Sequence, residues 1–166
     1  LGVNPGNWYY EMLSLGFNYR LTDIQSALGL SQLRKNSAFL ARRVEIVARY
    51  NRSFQEYDCF KTPVSKSETK PSWHLYVLRL NLNTLNVSRK EIYDEYRKQG
   101  VLVNVHYMPV YYHPYYRRLG YARGTCPKAE KYYEEAITLP LYPKMTDWQV
   151  RKVISVTRRI ADKFRK

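Results

Sequence analysis

Three segments of the chain begin with the same arrangement of polar residues and continue with apolar residues at helical spacing. Thr22–Gln25, Ser88–Glu91 and Thr146–Gln149 each place a hydroxyl side chain three positions before Glu or Gln. This is the spacing of a capping box, in which the two side chains satisfy backbone N–H groups of the first helical turn. It predicts a first helix of about thirty residues, a shorter one that ends at Gly100, and a C-terminal amphipathic helix.

The first predicted helix carries an apolar stripe that we expect to pack against the core. The stripe consists of Ile24, Leu28, Leu33, Leu40, Val44, Val47 and Phe54. Arg42, Arg43 and Arg49 fall on the other faces of this helix. A further helical segment contains Glu134 and Glu135. Adjacent residues of a helix point in different directions, so we predict a solvated face for these two carboxylates.

Segments with the composition of β-strands lie between the helices. Residues 73–82 alternate between two faces, and residues 101–107 are rich in β-branched and aromatic side chains. Residues 138–142 predict a short edge strand or extended segment, because Pro140 cannot donate to a central ladder. The order of elements favours an α+β fold, in which a small, mainly antiparallel sheet is covered by long helices.

The charge of the chain narrows the classes of partner without choosing among them. Lys and Arg number 28 against 14 Asp and Glu, which gives a net charge of +14. Such an excess favours nucleic acid, an anionic membrane or a phosphorylated small molecule. The basic residues are spread from Arg20 to Lys166 rather than clustered, so a solvated basic surface is an open alternative.

The cysteines and the apolar runs of the sequence bear on whether the protein is cytoplasmic, secreted or bound to a membrane. Cys59 and Cys126 form no C-x-x-C pair, which indicates reduced thiols rather than a metal site or a disulfide framework. No apolar run approaches the roughly 18 to 20 residues of a membrane span, and no signal-peptide pattern opens the chain. His106 and His113 lack a third ligand at a suitable spacing, so no metal site is predicted. We therefore predict a cytoplasmic soluble protein.

The string VNVHYMPVYYHPYYRRLGY, residues 103–121, is the densest unusual feature of the sequence. His106 and Tyr107 would emerge at the end of a predicted strand just before Pro109. Strand ends followed by irregular loops are places where folds present functional side chains. For the tyrosines of this string, packing within a loop or a subunit interface is the alternative. No P-loop, G-x-G-x-x-G or G-x-S-x-G pattern occurs in the chain.

Several motifs follow one another in a fixed order along the chain. They are GFNYRLTDIQSALGLSQL at 16–33, the pair Arg42 and Arg43, HLY at 74–76, VHYMPVY at 105–111, CPKAEKYY at 126–133 and LPLYPKMT at 139–146. In this order they resemble the C-terminal half of the DegT/StrS-type nucleotide-sugar aminotransferases. The resemblance spans nearly the whole chain. It is strongest to the subgroup that acts on a UDP-linked 4-keto-6-deoxy-hexosamine.

The resemblance implies a fold similar to that of aspartate aminotransferase. In that fold a large domain binds pyridoxal phosphate, a small C-terminal domain follows, and a homodimer shares its active sites. Residues 1–20 would be a connector from the large domain, and residues 21–166 would be the small domain. The implied reaction is a ping-pong transfer of an amino group from glutamate to the C4 ketone of a UDP-linked 4-keto-6-deoxy sugar. Its products would serve the biosynthesis of cell-surface polysaccharides.

The resemblance also implies roles for particular residues. Asn18 and Arg20 would bind the cofactor phosphate or reach the substrate side of a neighbouring subunit's site, held there by a capped helix start. The residues implied in substrate binding are Tyr19, His106, Tyr107, Tyr111 and Arg117. For Asn18 and Arg20 the alternative is a turn-forming amide and a surface cation.

The chain departs from the family pattern in one respect. The lysine that joins the cofactor is expected ahead of a Glu-Gly-Gly element, and no such element occurs here. We therefore expect this chain to hold no catalytic residue and to be inactive alone.

Two alternatives stay open. A non-catalytic dimerisation or sugar-nucleotide-binding domain predicts a dimer without cofactor absorbance. A nucleic-acid-binding module predicts salt-dependent binding to single strands.

Overall fold

The computed structural model describes residues 6–166, so the first five residues of the predicted connector lie outside the described residues. The chain divides into two compact units, Leu1–Asn36 and Ser37–Lys166. The boundary falls within the first helix, α1, which spans Asp23–Phe54. The two units are therefore described one at a time.

The remaining elements all lie in the second unit. They are β1 (Phe60–Lys61), β2 (Tyr76–Leu80), α2 (Arg89–Lys98), α3 (Pro114–Arg118), α4 (Pro127–Glu135), β3 (Ala136–Leu139) and α5 (Asp147–Phe164). The strands form one sheet in the order β1-β2-β3, and both pairs are antiparallel. The structure thus confirms the predicted α+β fold with a small antiparallel sheet. None of the helices within residues 6–166 combines the length and the apolar character of a membrane-spanning segment.

All three predicted capping boxes begin a helix. At α2, the Ser88 side chain accepts from the Glu91 N–H and the Glu91 carboxylate accepts from the Ser88 N–H. Thr146 and Gln149 make the same reciprocal pair at α5. The segment after α2 turns at Gly100, whose φ of 71° is a conformation that glycine adopts without strain. These three helix starts are therefore confirmed.

The predicted strand over 101–107 is wrong, because only Asn104 of this segment forms a β-bridge. Its partner is Thr138 on β3, and the two residues exchange backbone hydrogen bonds of 3.1 and 2.7 Å. β3 ends at Leu139, directly before Pro140, which has no N–H to extend a ladder. The segment still contributes to the core, because Val101 and Val103 are buried.

The core lies where β2, α1, α2 and α5 meet, and it corrects the stripe predicted for α1. The buried residues of α1 are Ile46, Val47, Tyr50 and Phe54. Of the predicted stripe, Leu40 is half-buried, whereas Ile24, Leu28, Leu33 and Val44 are exposed in the part of the chain that the structure describes. Helical spacing places side chains on one face, but it does not say which turns of that face a partner covers.

Glu135 corrects a second prediction, because this carboxylate is buried rather than solvated. Arg79 on β2 donates to one Glu135 oxygen from both Nε and Nη2, at 3.1 and 2.6 Å. The Arg79 guanidinium also lies over the Tyr132 ring, 5.6 Å from its centroid. A buried carboxylate needs such a partner. The pair joins the end of α4 to the middle strand of the sheet.

A cluster of charged residues joins α1 to the start of α5. Arg42 and Arg49 each place a guanidinium nitrogen within 2.8 Å of the same Asp147 carboxylate oxygen. Arg42 also donates to the backbone oxygen of Met145, at 2.7 Å. The hydrogen bonds from Arg42 and Arg49 hold the pKa of Asp147 below its ordinary value of 3.8. Asp147 is also the first residue of α5, where a negative charge favours the helix.

This cluster predicts a specific dependence of stability on pH. Because folding lowers the pKa of Asp147, its ion pairs stabilise the protein above the ordinary value of 3.8, and that contribution is lost as the pH falls through the lowered value. In an Asp147→Asn variant we expect the melting temperature to fall less steeply on acidification than in the unsubstituted protein. Asp162→Asn, on the same helix and without an ion pair among the described residues, is the control. Identical acid profiles for the unsubstituted and Asp147→Asn proteins would contradict the prediction.

Candidate functional site

The first group of predicted site residues, Asn18, Tyr19 and Arg20, lies directly before α1. The Tyr19 N–H donates to the Phe17 carbonyl at 2.9 Å, and the two rings stack with their centroids 5.3 Å apart. Two residues after Arg20, the Thr22 N–H donates to Gln25 Oε1 at 2.9 Å and completes the capping box. The segment that carries the three side chains therefore ends at a well-defined helix start.

The polar side chains of this group present unused hydrogen-bond donors. Among residues 6–166, the Asn18 amide and the Arg20 guanidinium have no hydrogen-bond or ion-pair partner. Tyr19 is 86% exposed. A guanidinium offers several N–H donors in a planar fork, and an amide offers two, so together they suit the oxygens of a phosphate. Asn18 and Arg20 lie two residues apart on one exposed segment, and their role in binding a phosphate stays a prediction.

The second group is centred on His106, which lies beside the edge of the sheet. His106 Nδ1 is 2.8 Å from the Thr138 hydroxyl on β3, and this contact follows the backbone bridge between Asn104 and Thr138. The His106 and Tyr107 rings meet edge to face at 4.4 Å, and the peptide bond that joins them is cis. Tyr107 is 70% exposed. Thr138 thus orients an imidazole whose Nε2 has no partner among the described residues.

Tyr111 and Arg117 occupy different environments in the second unit. The Tyr111 hydroxyl donates to Glu130 Oε1 at 2.9 Å and lies 3.3 Å from the Cys126 carbonyl. Burial and the Glu130 carboxylate raise the pKa of Tyr111 to about 12. Arg117 is exposed on α3 and has no ion-pair partner within residues 6–166. A role for either residue in substrate binding stays a prediction.

Glu130 and Thr138 are residues of the site region that the sequence reasoning missed. Both are polar, both are buried, and each holds a residue predicted to contact substrate. The partners of Glu130 and Thr138 lie 19 and 32 residues away along the chain. No local pattern signals contacts at such a separation. Pro127 at the start of α4 was the one available hint, because it places Glu130 within the first turns of a helix.

A separate cavity of about 480 Å³ lies in the second unit. Its lining includes Gly100, Leu102, Tyr142, Trp148 and Lys152, and none of the predicted site residues contributes to it. Among residues 6–166, no three His, Cys, Asp or Glu side chains are close enough to hold a metal ion. The predicted site residues around Asn18 and around His106 therefore lie outside this cavity, and their roles stay predictions.

Comparison with known proteins identifies relatives that match nearly the whole of this chain. The chain is 39% identical over 160 residues to the spore coat polysaccharide biosynthesis protein SpsC of Bacillus subtilis, covering 93% of this chain and 40% of that protein. It is 31% identical to UDP-4-amino-4,6-dideoxy-N-acetyl-beta-L-altrosamine transaminase of Campylobacter jejuni, covering 96% of this chain and 42% of that enzyme. The chain thus spans about two fifths of the length of these relatives.

Solved structures agree with the sequence relatives. PseC of Helicobacter pylori, an aminotransferase involved in the biosynthesis of pseudoaminic acid, superposes with a TM-score of 0.80 at 30% identity, covering 98% of this chain and 43% of that one. The PMP-form of the putative sugar aminotransferase Spr1654 of Streptococcus pneumoniae has a TM-score of 0.78 at 34% identity, covering 96% and 40%. Residues 2–158 match the model of the DegT/DnrJ/EryC1/StrS aminotransferase family. The chain belongs to this family of aminotransferases.

Proposed function

We propose that this chain is the C-terminal, small-domain part of an aminotransferase that uses pyridoxal phosphate. The enzyme would transfer an amino group from glutamate to the C4 ketone of a UDP-linked 4-keto-6-deoxy sugar, in the biosynthesis of cell-surface polysaccharide. The observation that carries the proposal is the family match over residues 2–158, together with 31% identity to a transaminase named for a UDP-linked 4-amino sugar. The net charge of +14 suits a diphosphate substrate.

The residues before α1 fit the phosphate of pyridoxal phosphate. Arg20 and Asn18 would donate to its oxygens, because their N–H groups have no other partner among the described residues. The cofactor, when bound, supplies the electron sink that amino transfer requires. The protein contributes binding and orientation. In the proposal, Tyr19, Tyr107 and Arg117 contact the sugar nucleotide, and Tyr111 contacts it through its ring because its hydroxyl is engaged by Glu130.

His106 has a defined part in this proposal. Thr138 holds one ring nitrogen at 2.8 Å, so the imidazole keeps one orientation while its other nitrogen can exchange a hydrogen bond with the substrate. The backbone bridge between Asn104 and Thr138 also holds the chain just before His106 against β3, at the edge of the sheet. The contact thus positions a polar group next to the exposed ring of Tyr107.

The proposal assigns the rest of the machinery to the part of the relatives that this chain does not match. That part would supply the large domain, the lysine that joins the cofactor and the acid on the cofactor ring, with residues 1–20 as the connector and 21–166 as the small domain. We further propose that the enzyme is a homodimer, as the family resemblance implies. We also propose that it is cytoplasmic, because Cys59 and Cys126 are free thiols of the kind that a reducing compartment maintains. The chain alone would not catalyse transfer.

The test is an assay on the product of the natural gene, including any upstream sequence. The purified protein is supplied with pyridoxal phosphate, glutamate and a UDP-linked 4-keto-6-deoxy sugar, and the release of 2-oxoglutarate is measured. We expect release over many turnovers with the ketone, at most one equivalent per active site with UDP-N-acetylglucosamine, which has no ketone at C4, and none from residues 1–166 alone. A natural protein that forms a dimer but binds no cofactor and releases no 2-oxoglutarate would instead favour the non-catalytic dimerisation domain.

A further inference from the structure

The segment 106–125 has little regular structure of its own, although it carries most of the proposed substrate contacts. It contains one turn of 3₁₀-helix, Val110–Tyr112, and the short helix α3. Gly120 and Gly124 adopt positive φ angles of 91° and 94°. Such a segment keeps a defined shape only if contacts from outside it replace the missing ladder or helix bonds.

Glu130 on α4 supplies those contacts from a single carboxylate. Its Oε1 accepts from the Tyr111 hydroxyl at 2.9 Å and from the Gly124 N–H at 2.7 Å. Its Oε2 lies 4.0 Å from Arg123 Nε. The residue is only 8% exposed. One carboxylate therefore binds the segment both near its beginning and at its end.

The Glu130 carboxylate is held in its ionised form. Burial by itself would raise the pKa of this group, but the hydrogen bonds from Tyr111 and the Gly124 N–H outweigh burial and hold its pKa below the usual range. Hydrogen bonds to an ionised acceptor are stronger than those between neutral groups. The buried Tyr112 hydroxyl also faces this carboxylate and helps to lower its pKa, although it forms no hydrogen bond of standard geometry within residues 6–166.

The helix that carries Glu130 is itself anchored to the sheet. One turn further along α4, the buried Glu135 accepts two hydrogen bonds from Arg79 on β2. The Tyr133 ring packs at 6.3 Å against Tyr112 of the segment, and Glu134 pairs with Arg123. The sheet therefore fixes α4, and α4 in turn can fix the segment.

We propose that Glu130 is a positioning residue, which holds Tyr111 and Gly124 so that the segment 106–125 presents its side chains to the sugar nucleotide in one arrangement. The inference rests on the proposed function, since it names the residue that orders the proposed substrate contacts. Glu130 does not itself touch substrate. Its effect is transmitted through the hydroxyl of Tyr111 and the backbone of Gly124.

The experiment compares three variants of the full-length protein that contains this chain. Glu130→Ala removes the acceptor, and Glu130→Gln retains a side-chain oxygen that can still accept from Tyr111 and Gly124. The comparison variant is Glu134→Gln on the same helix, which weakens only a half-buried ion pair with Arg123, and an ion pair at such a position contributes little. Amide hydrogen exchange over 106–125 and the Kd for UDP are measured for each protein, together with KM and kcat for the sugar nucleotide.

For Glu130→Ala we expect exchange over 106–125 to accelerate by about tenfold and the Kd for UDP to rise by about threefold to tenfold. KM should rise by a larger factor than kcat falls, because the loss is in presentation of the binding contacts. Glu130→Gln should recover most of both properties, and Glu134→Gln should resemble the unsubstituted protein. Should Glu130→Ala not fold, Tyr111→Phe removes one of the two bonds and should shift the same measurements in the same direction.

Three outcomes overturn the inference, and they can be told apart. Accelerated exchange with unchanged Kd and KM would show that Glu130 stabilises the fold without positioning the substrate contacts. Unchanged exchange in Glu130→Ala would show that other contacts hold the segment. A full-length protein whose unsubstituted form binds neither UDP nor the keto sugar would overturn the proposed function, and this inference with it, whatever the exchange data show.

Discussion

Replacing Leu78 with alanine is expected to lower the free energy of unfolding by about 2–5 kcal/mol. Leu78 is completely buried in β2, the middle strand of the sheet, and faces Ile137 on β3 in the strand register. The truncation removes apolar atoms from the core and leaves a cavity that the surrounding strands can fill only in part. Both effects reduce stability. The loss would extend to the site, since β3 also carries Thr138.

The neighbouring strand residue provides the control for this variant. Val77 lies on the opposite face of β2, where it is half-buried. Val77→Ala removes atoms that already lie near water, so we expect a loss of about 1 kcal/mol or less. The measurement is a urea titration of each protein with one spectroscopic probe for folding. Equal losses for the two variants would mean that the core does not lie on the face of β2 that the structure assigns to it.

The helices could be predicted from the sequence because their signals are local. Each capping box lies within four residues, and Ser88 and Thr146 make the predicted bonds with Glu91 and Gln149. The same holds for the strand around Leu78, which alternation predicted, although apolar residues on both faces left the buried face for the structure to identify. In these places propensity, pattern and tertiary structure agree, which is the condition under which sequence reasoning succeeds.

The predictions from sequence were wrong where the environment of a residue depends on distant parts of the chain. The segment 101–107 has the composition of a strand, but its neighbour β3 offers only one residue to pair with it, Thr138. Glu134 and Glu135 are alike in sequence, and only the position of Arg79 on β2 decides that Glu135 is the buried one. Composition describes what a segment can do, whereas pairing depends on what lies next to it.

The candidate site likewise combines residues that the sequence predicted with residues that it did not. His106 was predicted from its place before Pro109 and from the family resemblance, and the structure adds the Thr138 contact that orients it. Glu130 was missed, because a buried acid in a segment of alternating charges resembles a solvated one. Side chains that bind a ligand can be named from motifs, but the residues that hold them are visible only in the fold.

Replacing Arg20 with alanine is expected to weaken binding of pyridoxal phosphate to the full-length protein by about tenfold to a hundredfold. Under the proposed function, Arg20 donates charge-assisted hydrogen bonds to the cofactor phosphate, and such bonds contribute about 1.5–3 kcal/mol. Arg20→Lys keeps the charge but loses the planar fork of donors. Its affinity for the cofactor should therefore lie between those of the unsubstituted protein and Arg20→Ala. Affinity is measured by titrating the cofactor-free protein and following the absorbance of the bound cofactor.

Arg34→Ala is the matched control, because Arg34 is an exposed arginine on α1 without a partner among the described residues. It removes the same charge from the same unit, and Coulomb attraction at longer range is screened by salt. If the two alanine variants weaken binding equally, Arg20 acts only through net charge. If neither weakens it, the phosphate is held elsewhere and Arg20 is a surface cation. The same titrations are repeated with pyridoxal, which lacks the phosphate. If Arg20→Ala alone weakens binding of pyridoxal phosphate but leaves binding of pyridoxal unchanged, the Arg20 guanidinium contacts the phosphate itself.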